Sequence, residues 1–126
     1  MTIETFRSPE LAPPVGPFSQ AVLSGDFLYL SGQVGQNPAS GQLVAGGVEA
    51  QAEQIFSNLQ AVLAAAGKSL ADVVRVGVFL TDLQDFAAVN AIYARHFSPP
   101  FPARTTIAAA ALPLGAAIEI DLIAGA

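Results

Sequence analysis

The chain has 126 residues, 52% of them apolar and only 12% charged, with a formal net charge of −5. That length can bury one sizeable core, and the absence of cysteine excludes disulfides, thiolate nucleophiles and cysteine metal sites. The five cations, Arg7, Lys68, Arg75, Arg95 and Arg104, stand singly, which disfavours a nucleic-acid surface, because tracking phosphates takes several cations together.

The opening stretch, MTIETFRSPELAPP, lacks a basic segment followed by an apolar core, so no signal peptide is expected. No apolar run approaches the length of a membrane span, and a cytoplasmic protein is the expectation. The first element is a β-hairpin in AVLSGDFLYLSG, two apolar runs around the Gly25-Asp26 pair. QNPASGQLVAGG then reads as a loop, dense in Pro, Gly, Asn and Ser.

From Val48 the apolar period changes. Val48, Ala52, Ile55, Leu59, Val62 and Ala66 recur at three- and four-residue steps, the pattern of an amphipathic helix, and Gly67 stands where a helix-ending glycine belongs. VVRVGVFL (73–80) is a buried strand rich in β-branched residues, its Arg75 expected near an edge or interface. Thr81 or Asp82 can start a second helix with Phe86, Val89, Tyr93 and Phe97 on one face, and SPPFP (98–102) stops it. Two strands close the chain, at about 103–110 and 117–124, joined by LPLG.

The predicted order is ββ(β)αβαββ, a single α+β domain over residues 1–126 with two helices on one face of a mixed sheet. No third layer remains to cover the opposite face. With so few charges to solvate the surface, a second copy of the chain is the natural cover, and an oligomer is expected.

Residues able to carry chemistry are few. His96 is the only histidine, so a histidine-rich metal site cannot form within one chain, and its place at a helix end suits a cation beside the dipole. No phosphate loop, dinucleotide fingerprint or nucleophile-elbow motif is present. Two strand-borne charges remain. Arg104 heads an otherwise apolar strand, and Glu119 lies in AIEIDLIA, where Ile118, Ile120 and Leu122 face one way and Glu119 and Asp121 the other. They are either a structural ion pair between adjacent strands or two groups of one cleft. In a cleft, the guanidinium would grip a carboxylate in two parallel hydrogen bonds and the glutamate would handle water or a proton.

GPFSQAV (16–22), YLSGQVG (29–35), QAEQIFSNLQAVLAAAG (51–67), VFLTDLQDFAAVNAIYARHF (78–97), FPAR (101–104) and AIEIDLIA (117–124) occur in this order. Together they make the chain resemble, from about Ser8 to Ala124, the Rid family of reactive-intermediate deaminases, also called the YjgF or translation-inhibitor-like family. The resemblance implies a chorismate-mutase-like fold and a homotrimer whose sheets form a central barrel, with clefts at the subunit interfaces. It implies hydrolysis of small reactive 2-imino acids, of the 2-iminobutanoate and 2-iminopropanoate type, to 2-keto acids and ammonia, with no metal or organic cofactor. On this resemblance Arg104 binds the substrate carboxylate and Glu119 positions or activates the water. Ser31, Gly32 and Asn90 match positions that line or support the cleft; Ser31-Gly32 can equally end a strand, and Asn90 can equally bond neighbouring backbone. Two positions depart from the well-studied deaminating members: Phe18 stands where they have tyrosine, and Thr106 where they have cysteine. A non-catalytic trimer that binds small carboxylates or acts as a holdase is the alternative, and an endoribonuclease, a label attached to the family, is disfavoured by the charge.

Overall fold

The computed structural model describes residues 2–125; Met1 and Ala126, the ends of the expected 1–126 domain, lie outside the described residues. In chain order its elements are β1 (Ile3–Phe6), β2 (Ala21–Ser24), β3 (Phe27–Gln33), α1 (Gly47–Ala65), β4 (Val73–Leu80), α2 (Phe86–His96), β5 (Ala103–Ala108) and β6 (Ile118–Gly125). All six strands share one mixed sheet in the order β1-β2-β3-β6-β4-β5. The β4–β5 pair is parallel and every other neighbouring pair antiparallel.

The expected hairpin is β2–β3, closed around Gly25-Asp26 with Ser24 opposite Phe27. The strand expected over 73–80 has those bounds, and β5 stops at Ala108, two residues short of expectation. β1 was not anticipated. Four residues long and mostly exposed on the sheet edge, it lacks the apolar alternation that marks a half-buried strand.

The core lies between the sheet and the two helices. Ile118, Ile120, Leu122 and Ala124 point from β6 onto Ile55, Phe56, Leu59, Val62 and Leu63 of α1, joined by Val76, Val78 and Leu80 of β4. Burying each large aliphatic side chain contributes about 1.5–3 kcal/mol, so this stripe fixes the register of the central strands. α1 ends at the expected glycine. Gly67, at φ 73, lets its own N–H reach the Ala64 carbonyl and the Lys68 N–H reach the Leu63 carbonyl, which ties off the end of the helix.

The second helix starts later than expected. Asp82 caps a short 3₁₀ turn, Leu83–Asp85, by accepting the Gln84 N–H at 2.9 Å, and the α-helix proper begins at Phe86. Val89, Tyr93 and Phe97 are buried as the periodicity required. Phe86 is not: it is 42% exposed, because its position in the first turn overhangs the sheet edge at β5. His96 closes α2 with its ring stacked on Phe56 at 4.3 Å and its Nε2 2.8 Å from Glu53 Oε1, which joins the two helices.

Among the described residues no helix covers the other sheet face. Tyr29, Phe79, Ile107 and Ile123 border a shallow hollow of about 330 Å³, with Arg75, Thr105 and Asp121 among them. Tyr29 and Ile107 are each 46% exposed.

Candidate functional site

Two side loops and the sheet enclose a cleft of about 490 Å³ beside the β3–β6 seam. It gathers four of the sequence-predicted residues: Phe18, Ser31, Gly32 and Glu119. Glu119 reaches this cleft because its neighbours Ile118 and Ile120 are fixed in the core, and strand alternation turns position 119 to the opposite face. There its carboxylate lies over Gly32. A Cβ on residue 32 would overlap the Glu119 carboxylate, so the glycine is what lets the acid lie flat against β3.

Ser31 supports the cleft wall. Its hydroxyl donates to the Ser19 carbonyl at 2.6 Å, and its N–H donates to the Gln20 carbonyl at 3.0 Å. These bonds tie the segment carrying Phe18 to β3. Gln20 in turn accepts the Ser8 N–H at 2.8 Å, and Asn58 of α1 holds the loop after β3 by donating to the Gln36 carbonyl at 3.0 Å. The cleft therefore rests on buried polar contacts, while its mouth is apolar, formed by Pro13, Val15, Phe18 and Leu114.

Burial holds the Glu119 carboxyl above the ordinary carboxylate range, and the nearby charge of Asp121 adds to that effect. Asp121 is raised too, chiefly by burial, against the opposing effect of a hydrogen bond from the Gly77 backbone. It repeats the arrangement of Glu119, its carboxylate lying over Gly77 as Glu119 lies over Gly32. A carboxylate raised in this way is a stronger base than one in water, suited to accept a proton from a water molecule.

Arg104 is elsewhere. The parallel register sets it beside Val76, whose side chain is fully buried on the helix-covered face. Glu119 is in register with Phe79 on the opposite face. The two strands are not neighbours, because β4 lies between β5 and β6. The expectation of an Arg104–Glu119 ion pair between adjacent strands is therefore wrong, and within one chain the two do not face a common cleft. The physical reason is long-range: pairing order and register, not local spacing, decide which face each residue takes.

On its own face Arg104 is held from three directions. Its Nη2 donates to Asn90 Oδ1 at 2.6 Å, and its guanidinium carbon lies 4.6 Å from the Tyr93 ring centre and 5.5 Å from that of Phe86. Asn90 thus bonds the arginine rather than neighbouring backbone. Among the described residues the carboxylate ion pairs are those of Glu53 with Arg95 and His96, so Arg104 is oriented by a neutral oxygen and two rings and keeps its charge uncompensated. Thr106 shares this face two residues along, and its Oγ1 is buried with no hydrogen-bond partner among the described residues. Burial raises the Tyr93 phenol above its ordinary range, with the Arg104 charge opposing the rise.

Sequence reasoning did not single out Phe86 and Tyr93 as partners of the arginine, having assigned both to the helix core. It also passed over Val15 and Leu114 at the cleft mouth. The signal for Tyr93 was its place one turn after Asn90; Leu114 carried none beyond its adjacent glycine.

The sequence profile of the endoribonuclease L-PSP family matches residues 9–126. A protein of Dermatophagoides farinae named 2-iminobutanoate/2-iminopropanoate deaminase is 44% identical over 124 residues, covering 98% of this chain and 97% of that one. The Homo sapiens protein of the same name is 48% identical over 110 residues, 87% of this chain and 80% of that one. The crystal structure of RidA from the Antarctic bacterium Psychrobacter sp. PAMC 21119 superposes with a TM-score of 0.93 at 44% identity, over 98% of this chain and 99% of that one.

Proposed function

The chain belongs to the endoribonuclease L-PSP family, also called the Rid or YjgF family, and from that premise we propose that it is a 2-iminobutanoate/2-iminopropanoate deaminase acting as a cytoplasmic homotrimer of single-domain protomers. The observation that carries the reading is Arg104: a partly buried guanidinium, aimed by Asn90 and two aromatic rings, with no carboxylate of its own among the described residues. Such a group is a receptor for the carboxylate of a small acid. The relatives named as deaminases support the rest.

Since Arg104 and Glu119 lie on opposite faces of one sheet, the complete site is made from two protomers. One supplies Arg104, Asn90 and Thr106; its neighbour supplies Glu119, Gly32, Ser31 and Phe18. The uncovered sheet face with Tyr29, Phe79, Ile107 and Ile123 is the surface on which the protomers meet.

In the mechanism, Arg104 binds the carboxylate of the 2-imino acid and presents its C2 to a water on Glu119. Glu119 takes a proton from the water as the oxygen attacks C2 and passes it to nitrogen, so that the C–N double bond becomes single in a neutral carbinolamine. Glu119 then takes the carbinolamine hydroxyl proton and delivers it to nitrogen as the C=O bond forms, the C–N bond breaks, and ammonia leaves the 2-keto acid. Free imines already hydrolyse readily, so positioning and one base suffice. Phe18 leaves the cleft wall without a phenolic hydroxyl, so proton handling falls to Glu119 alone.

The test is to generate 2-iminobutanoate with a PLP-dependent threonine dehydratase and follow 2-ketobutyrate. The protein should accelerate keto-acid release in proportion to its concentration. An unchanged rate, with 2-ketobutyrate still binding, would assign the protein to the non-catalytic carboxylate binders instead.

A further inference from the structure

Among the described residues, Leu114 is the one non-glycine with a positive φ, at φ 60 and ψ 15. A branched side chain in the left-handed region is strained, since its Cβ crowds the following carbonyl. Its neighbour Gly115, at φ 71, would meet that geometry freely. The strain gains Leu114 no burial either, as it stays 57% exposed. Held-in strain of this kind clusters at functional sites, and Leu114 lines the same cleft as Glu119.

Around it the cleft lining is mostly apolar, with Gln20, Ser31, Gln33, Gln36 and Asn58 as its neutral polar side chains. Val15 is 91% exposed and Phe18 50% exposed, and Leu11, Pro13 and Pro113 complete the wall. These residues share a cavity of about 490 Å³ with Glu119, a size in the range that encloses drug-sized ligands. Within one protomer this cleft is much larger than the methyl or ethyl group of the smallest imino acids.

We propose that Leu114, with Val15 and Phe18, forms a side-chain subsite, and that the preferred substrates are 2-imino acids bearing apolar side chains of about four carbons or more. The proposal rests on the deaminase reading and deepens it. With the carboxylate on Arg104 and C2 at Glu119, the apolar side chains that line the same cleft as Glu119 are the surface available to the remaining substituent of C2. Among the described residues of one protomer no cation lines the cleft, and Arg104 is taken by the substrate carboxylate, so an acidic side chain would meet only neutral groups and the Glu119 carboxylate. Leu114 is then a specificity-determining residue, its strained backbone holding an apolar surface where the side chain must rest.

The experiment compares imines produced in situ by an amino-acid oxidase from alanine, 2-aminobutyrate, norvaline, leucine and glutamate, with affinities of the matching 2-keto acids measured in parallel. For wild type, kcat/KM should rise up to about fourfold with each added methylene and at least about tenfold from alanine to leucine; the imine from glutamate should be poorest. In Leu114→Gly the leucine-to-alanine ratio should fall, while Tm rises because the strain is relieved. Leu114→Asp should lower the same ratio with a smaller rise in Tm than glycine gives, since aspartate tolerates the left-handed region better than leucine and less freely than glycine.

A flat series in both rate and affinity overturns the subsite and leaves the deaminase reading standing. No acceleration of any imine, with keto-acid affinity still rising with chain length, overturns the deaminase reading and keeps the subsite. A lowered Tm together with loss of assembly in Leu114→Gly would make Leu114 an interface residue and overturn the proposal.

Discussion

Glu119 and Gly32 act as a unit, and that makes both testable. Glu119→Gln keeps the size of the side chain and loses its basicity, so keto-acid release should fall by about 10²-fold while 2-ketobutyrate affinity, assigned to Arg104 in the proposed mechanism, stays nearly constant. The same variant has a signature in stability. Burial raises the Glu119 carboxyl in the folded chain, so folding favours its protonated form. That contribution is present below the ordinary carboxylate pKa and is lost as pH rises through the raised folded value. Thermal melts at about pH 4 and about pH 7.5 should therefore show Glu119→Gln gaining on wild type at the higher pH. A difference that shrinks with pH would mean the carboxylate is stabilised, not strained, by its surroundings. Arg104→Ala should leave the fold intact and weaken 2-keto acid binding by roughly 2–5 kcal/mol, the usual loss when one partner of a buried charge pair is removed. Calorimetry with 2-ketobutyrate measures it directly, and unchanged affinity would leave Arg104 a structural residue.

Elements differ in how openly the sequence declares them. α1 repeats its apolar residues at three- and four-residue steps and stops at a glycine, and β6 alternates Ile118, Ile120 and Leu122 with polar neighbours; both patterns are local, so both were legible. β1 is exposed and short, and nothing in four residues distinguishes it from loop. The candidate site was half legible. Residue types and motif resemblance pointed to Arg104 and Glu119, but which face each occupies depends on β4 entering between β5 and β6, a pairing of segments far apart in the chain. The role of Phe86 was hidden for a related reason, since the helix starts four residues after Asp82 and its first turn overhangs the edge strand. The helix end makes its own prediction. Gly67→Ala forces a Cβ into the left-handed region and should lower unfolding free energy by about 1–2 kcal/mol in urea titration, with catalytic rate unaltered. A neutral substitution would show that the two terminal hydrogen bonds do not depend on that backbone conformation.

For the molecule as a whole, the division of the site between faces governs what assembly must do. Sedimentation should give about three times the mass of the 12.9 kDa chain. Mixing offers the sharper measurement. Arg104→Ala and Glu119→Gln protomers, each inactive alone, should regain about one quarter of wild-type activity when unfolded and reassembled together, because random rings leave that share of interfaces with both groups intact. No recovery in rings shown to be mixed would place both groups in one protomer's site. The proposed split would also tie catalysis to the amount of protein a cell makes. When subunits are mostly dissociated, halving the chain concentration cuts the trimer about eightfold by mass action. An activity carried between subunits thus behaves as a threshold in gene dosage, nearly silent at low expression and steeply rising once rings can form.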